Sequence, residues 1–112
     1  MSFGVPAVDA GEVPENAALL DVREPAEWAA GHAAGAVHIP MGQVVERVAE
    51  IRALASDGPV HVICKAGGRS AQVTAFLAQQ GVAALNVDGG MHAWEAVGRP
   101  LVSDQDAPPT VL

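Results

Sequence analysis

One stretch, Val60 to Ser70, constrains this chain more than any other: V-H-V-I-C-K-A-G-G-R-S passes from β-branched residues through the only cysteine and a Gly-Gly pair to an arginine and a serine. Val60, Val62 and Ile63 with His61 predict a buried strand, and from Ser70 onward Ala71, Val73, Phe76 and Leu77 fall at helical spacing. So tight a connection leaves several backbone N–H groups pointing into the turn, and Gly67 and Gly68 allow the positive φ that such a nest requires. The turn is therefore expected to bind an anion. Cys64 stands at the strand's C-terminal end, where those N–H groups, the N-terminus of the following helix and the charges of Lys65 and Arg69 favour thiolate over thiol. A lone cysteine after a strand is ordinarily a small buried hydrophobe, but the five residues from Lys65 to Arg69, with two glycines and two cations, make a poor apolar core. Arg69 closes the loop, where its fork is placed to grip an oxyanion.

The rest of the chain supplies alternating strands and helices. Residues 1–16 carry Pro6 and Pro14, and Phe3, Val5, Ala7 and Val8 are compatible with one edge strand or with simple packing. Ala17 to Val22 predicts a buried strand, Arg23 and Glu24 a charged loop, and Pro25 the first turn of a short helix stopped by Gly31. His32 to Gly35 reads as a turn and Ala36 to Ile39 as a brief strand ended by Pro40. Gln43 to Ala55 predicts a helix with Val44, Val48, Ile51 and Ala55 on one stripe. Gly81 stops the helix after the central loop, Val82 to Val87 predicts another strand, and Asp88-Gly89-Gly90 a plain tight turn. Met91 to Val97 forms a last helix, and the tail from Ser103 is expected to be mobile. This order predicts an α/β domain whose mainly parallel sheet of about five strands has helices on both faces. Ligands of such sheets bind at the C-terminal ends of the strands, where Cys64 lies.

Length and charge narrow the function. At 112 residues the chain makes a single domain, with its core over about 17–102. Gly and Pro interrupt the apolar residues so often that no stretch approaches a membrane span. The N-terminus lacks the basic start and apolar run of a secretory signal, so a cytoplasmic protein is expected. A formal charge of -7 with only six Lys and Arg argues against nucleic acid or an anionic membrane as partner. His32, His38, His61 and His92 lack metal-ligand spacing, and Trp28 and Trp94, beside glycine turns, are read as packing residues. No metal or cofactor is expected.

The segments L-L-D-V-R-E-P-A-E-W-A-A-G-H-A-A-G-A-V-H-I-P (Leu19 to Pro40), C-K-A-G-G-R-S and V-D-G-G-M-H-A-W (Val87 to Trp94) together resemble a single-domain rhodanese in content, order and spacing. The resemblance implies a sulfurtransferase in which Cys64 takes a sulfane sulfur as a persulfide and passes it to a thiophilic acceptor such as cyanide or a thiol. It also implies that the loop Lys65, Ala66, Gly67, Gly68, Arg69 and Ser70 holds the substrate. Lys65 and Ala66 occupy the positions where such proteins differ, and Lys65 favours a small anion such as thiosulfate. Asp21 and Arg23 are structural in the family, and a surface salt bridge is an equal reading of them here.

Two alternatives stand beside this. Phosphatases and arsenate reductases also place cysteine and arginine around an anion loop, but four residues separate Cys64 from Arg69, whereas cysteine phosphatases and their rhodanese-like relatives have five. A binding or regulatory module without turnover is the other. With no second cysteine, a persulfide on Cys64 needs an external acceptor: a small thiol, cyanide or a sulfur-accepting protein.

Overall fold

A computed structural model describes residues 3–112; Met1 and Ser2, which open the N-terminal segment, lie outside the described residues. The elements are β1 (Ala7–Asp9), β2 (Leu19–Asp21), α1 (Pro25–Ala30), β3 (His32–Ala33), β4 (Val37–His38), α2 (Val48–Leu54), β5 (Val60–Ile63), α3 (Gly68–Gln79), β6 (Ala84–Asp88), α4 (Gly90–Ala96) and β7 (Leu101–Val102). Five strands form one parallel sheet in the order β1-β6-β5-β2-β4, as the alternating pattern requires, and β3 and β7 pair antiparallel beside it. The strand ending at Cys64 is thus the middle one.

Alternation along the strands sorts the core into two layers. Leu20, Val60 and Val62 face one side with Ile51 of α2 and Val73 and Leu77 of α3, while Leu19, Ile63 and Val87 face the other with Met91 and Trp94 of α4. The N-terminal segment resolves its two readings in favour of the edge strand, Ala7 opposite Asn86 and Asp9 opposite Asp88.

Four expectations are corrected. The helix predicted over Gln43 to Ala55 is continuous only over Val48–Leu54; Met41–Gln43 and Val45–Arg47 are tighter 3-10 turns. β-branched Val44, Val45 and Val48 crowd an α-helix, and the tighter turns still bury Val44 against Ile51. The turn at His32 to Gly35 contains strand β3, held because Leu101–Val102 comes back to pair with it. The tail is not free of the domain: the backbone N–H groups of Asp104 and Thr110 donate to the carbonyls of Ala29 (3.1 Å) and Ala30 (2.9 Å). These are carbonyls at the end of α1, which have no partner within their own helix.

The fourth correction concerns Arg23, expected in a charged loop and in fact fully buried with Asp21. Its Nε donates to Asp21 Oδ1 at 3.0 Å and its Nη2 to Oδ2 at 2.7 Å, while Nη2 also reaches the Gly31 carbonyl at 2.8 Å. The pair is structural and internal. Removing one partner of a buried ion pair strands the other charge, so Asp21→Ala should cost about 3 kcal/mol or more in urea unfolding. Glu50→Ala, which breaks only the exposed pair with Arg47, should leave the midpoint essentially in place; equal effects would contradict the structural role assigned to Asp21.

Candidate active site

The turn after β5 closes around sulfur because one residue takes a conformation that only glycine adopts readily. Gly67 sits at φ +111°, capping α3, and aims its N–H at Cys64 Sγ, 3.1 Å away. The expectation that both glycines need positive φ is half met: α3 begins at Gly68, two residues before the serine, and Gly68 is its ordinary first residue. That early start places the Ser70 N–H, in the helix's unpartnered first turn, at the sulfur. Ser70 Oγ lies 3.2 Å from Sγ. Burial pushes the Cys64 thiol up, but hydrogen bonding by the Ser70 hydroxyl and by the backbone N–H groups of Ser70, Gly67 and Ala66 outweighs it and holds the thiol below its usual range.

Arg69 is placed otherwise than the sequence implied. Its guanidinium is held by Glu27 of α1, Nη1 to Oε1 at 2.7 Å and Nη2 to Oε2 at 3.0 Å, instead of being turned free toward an oxyanion. A charge-assisted fork-to-fork pair explains the preference. Glu27 also accepts the Glu24 N–H at 3.0 Å, so one carboxylate caps α1 and ties it to α3. Lys65 and Gly68 are half-buried and Ala66 is exposed, leaving these three at the rim of the loop.

Three contributors were not singled out in the sequence. Glu27 is one. The second is Gly90, at φ +55°, where a Cβ would strike the backbone of Cys64 and Lys65. This close approach lets the first turn of α4 donate Met91 N–H to the Cys64 carbonyl (2.8 Å) and His92 N–H to the Lys65 carbonyl (3.1 Å). Asp88-Gly89-Gly90 is therefore a support for the loop, more than a plain turn. The third is Asn86, a fully buried amide in β6 bonded to Ser70 and Gly67. A polar residue between Leu85 and Val87 was its only signal.

The tryptophans pack. Trp94 is buried and its Nε1 donates to the Pro100 carbonyl at 3.1 Å, and the Trp28 ring stacks with His32 and His38 at centroid distances of 3.5 and 4.8 Å. Among the described residues no cluster of His, Cys, Asp and Glu could hold a metal ion, and no helix is long and apolar enough to cross a membrane. A cavity of about 660 Å³ beside Trp94 and Arg99 includes no residue of the 64–70 loop.

A parallel α/β sheet whose central strand delivers a cysteine against backbone N–H donors at a helix head defines a cysteine-loop α/β protein. The chain belongs to the rhodanese-like family, whose Rhodanese-like domain model matches residues 8–97. Among its relatives, YtwF of Bacillus subtilis, named as a sulfurtransferase, is 42% identical over 89 residues, 80% of this chain and 84% of that protein. The thiosulfate sulfurtransferase GlpE of Pseudomonas paraeruginosa is 36% identical over 90 residues, 79% of each chain. A rhodanese-related protein of Thermoplasma volcanium superposes with a TM-score of 0.77 at 35% identity, covering 87% of this chain and 97% of that one. Sulfur transfer is the class of chemistry that these relatives support.

The Glu27–Arg69 clamp makes a pH prediction. Hydrogen bonding by Arg69, only partly offset by burial, lowers the Glu27 carboxyl from 4.5 to about 2. A depressed acid stabilises the fold fully above its unfolded value and loses that contribution as pH falls through its folded one. Glu27→Gln should therefore be less stable than the parent at neutral pH, with the gap closing between pH 4.5 and about 2. Urea midpoints across that range measure it; a gap of constant size would remove the ion pair as its source.

Proposed function

We propose that this chain is a rhodanese-type sulfurtransferase that moves a sulfane sulfur from a small anionic donor, thiosulfate foremost, to a thiol or cyanide through a persulfide on Cys64. The observation that carries the reading is the Cys64 sulfur held 3.1 Å from the Gly67 N–H and 3.2 Å from the Ser70 hydroxyl at the head of α3. In the first half-reaction the Cys64 thiolate attacks the outer sulfur of thiosulfate. A bond forms between the two sulfurs, the bond from the outer sulfur to the sulfonate sulfur breaks, and sulfite leaves with its electron pair. Lys65 at the rim offsets the charge of donor and leaving sulfite, while the loop N–H groups receive the persulfide anion. In the second, an acceptor attacks the outer sulfur of the persulfide and Cys64 returns as thiolate. The GlpE relative's name supports thiosulfate as donor, and the absence of a second cysteine makes the acceptor external.

The loop's size favours this reading over phosphate chemistry. Only four residues separate Cys64 from Arg69, and Glu27 takes up both terminal nitrogens of the arginine that would otherwise grip phosphate. We place the protein in the cytoplasm with small-molecule partners or a sulfur-accepting protein, and with neither nucleic acid nor a membrane surface.

Intact mass after thiosulfate treatment is the test. The parent should gain one sulfur atom and lose it to cyanide, and Cys64→Ser should gain none while keeping its fold. Failure with thiosulfate but gain from mercaptopyruvate or a protein persulfide would change the donor. No gain from any of them would overturn sulfur transfer in favour of a binding module.

A further inference from the structure

Ser70 has one hydroxyl hydrogen and three acceptors within reach. Its Oγ lies 2.5 Å from Asn86 Oδ1, 3.2 Å from Cys64 Sγ and 3.2 Å from the Gly67 carbonyl. The Gly67 carbonyl already receives the N–H of Ala71 at 3.1 Å and Nδ2 of Asn86 at 3.2 Å, which occupy its two lone pairs. The contest is therefore between Asn86 and the sulfur. The orientation of the Asn86 amide follows from the same contacts: reversing it would set its oxygen against the Gly67 carbonyl oxygen, two acceptors with no hydrogen between them. Asn86 is fully buried, and both ends of its amide find their partners within the protein.

We propose that Asn86 is a positioning residue acting through Ser70, whose hydroxyl turns its single hydrogen toward Asn86 Oδ1 when the Cys64 sulfur is uncharged and toward Sγ when the sulfur is an anion. As a thiol, Cys64 can donate its own hydrogen to Ser70 Oγ while Ser70 donates to Asn86, so the chain of donors is complete. Once the thiol proton is lost, Sγ becomes the stronger acceptor and the hydroxyl turns to it. The consequence for turnover rests on the sulfur-transfer reading. In the persulfide Sγ is a bridging, uncharged atom, and the hydrogen rests on Asn86. When an acceptor thiolate attacks the outer sulfur, the S–S bond breaks and its electron pair passes to Sγ. A new S–S bond joins the acceptor to the transferred sulfur, and the Ser70 hydrogen swings back to the departing thiolate.

The pH dependence of Cys64 alkylation by iodoacetamide tests this without any sulfur transfer, and Cys64 is the only thiol in the chain. Asn86→Leu removes the second resting place, leaving only the more distant Gly67 carbonyl to compete with sulfur. Its alkylation midpoint should fall, with rates on the acid side about threefold higher, the size of one modest hydrogen bond. Asn86→Asp, a stronger acceptor, should slow the same reaction by about threefold or more. In the Ser70→Ala background the leucine substitution should have no effect and the slowing by aspartate should shrink to its charge alone. An Asn86→Leu midpoint that is unchanged or raised, or a shift equally large without the Ser70 hydroxyl, would overturn the assignment. Should that variant fail to fold, Asn86→Asp decides: slowing of the same size in both backgrounds overturns it. A chain that takes up no sulfur from any donor yet shows this coupling keeps the Ser70–Asn86 assignment and loses only its use in turnover.

Discussion

The first turn of an α-helix leaves its backbone N–H groups without partners inside the helix, and in this protein two such turns converge on one strand end. The head of α3 turns its N–H groups to the Cys64 sulfur, and the head of α4 gives Met91 and His92 N–H to the carbonyls of Cys64 and Lys65. The α4 contacts fix the carbonyl side of the loop, so the N–H side can face inward, and Gly67 and Gly90 supply the two backbone shapes that let the turns approach. The sulfur's acidity is thus a consequence of helix geometry and a neighbouring hydroxyl. These donors are fixed by the fold itself, the condition under which electrostatic stabilisation of a charge is most effective.

Charged side chains serve a different purpose from the one their positions imply. Arg23 and Arg69 both lie next to the site in sequence or space, and both are spent on carboxylates, Asp21 in the buried interior and Glu27 on the partly exposed flank. The first pair closes the C-terminal end of β2; the second ties α1 to α3. Together with the tail's hydrogen bonds to Ala29 and Ala30, they fasten α1 against the sheet on two sides. A protein of this size has little core to spare, and such polar ties let a six-residue helix keep its place. The result leaves Lys65, half-buried at the rim, as the other cation of the loop.

The general architecture was legible from local pattern. Val60 to Ile63 followed by Cys64 and a glycine pair specifies strand, turn and helix within a few residues, and strand–helix alternation admits few topologies besides a parallel sheet. The setting of Cys64, a thiol among backbone donors, was legible because its flanking residues are local to it. Less accessible were the features that depend on residues distant in the chain. Glu27 lies 42 residues from Arg69, and Asn86 lies 16 from Ser70. Local periodicity does not mark Glu27, and for Asn86 it shows only a polar residue in an apolar run, not its partner.

What the sequence determined by itself, then, is the strand-loop-helix at Val60 to Leu77, the parallel α/β class and the presence of a thiol among backbone donors, all consequences of short-range sterics and apolar spacing. Only the tertiary structure decided where the charges and single hydrogens go. Folding brought Glu27 to Arg69, closed Arg23 over Asp21, laid the tail along α1 and set Asn86 beside the Ser70 hydroxyl. Periodicity tells which face of an element is buried, but the partner of a buried polar group is settled by which other chain segment arrives there, and that is a property of the whole packed molecule.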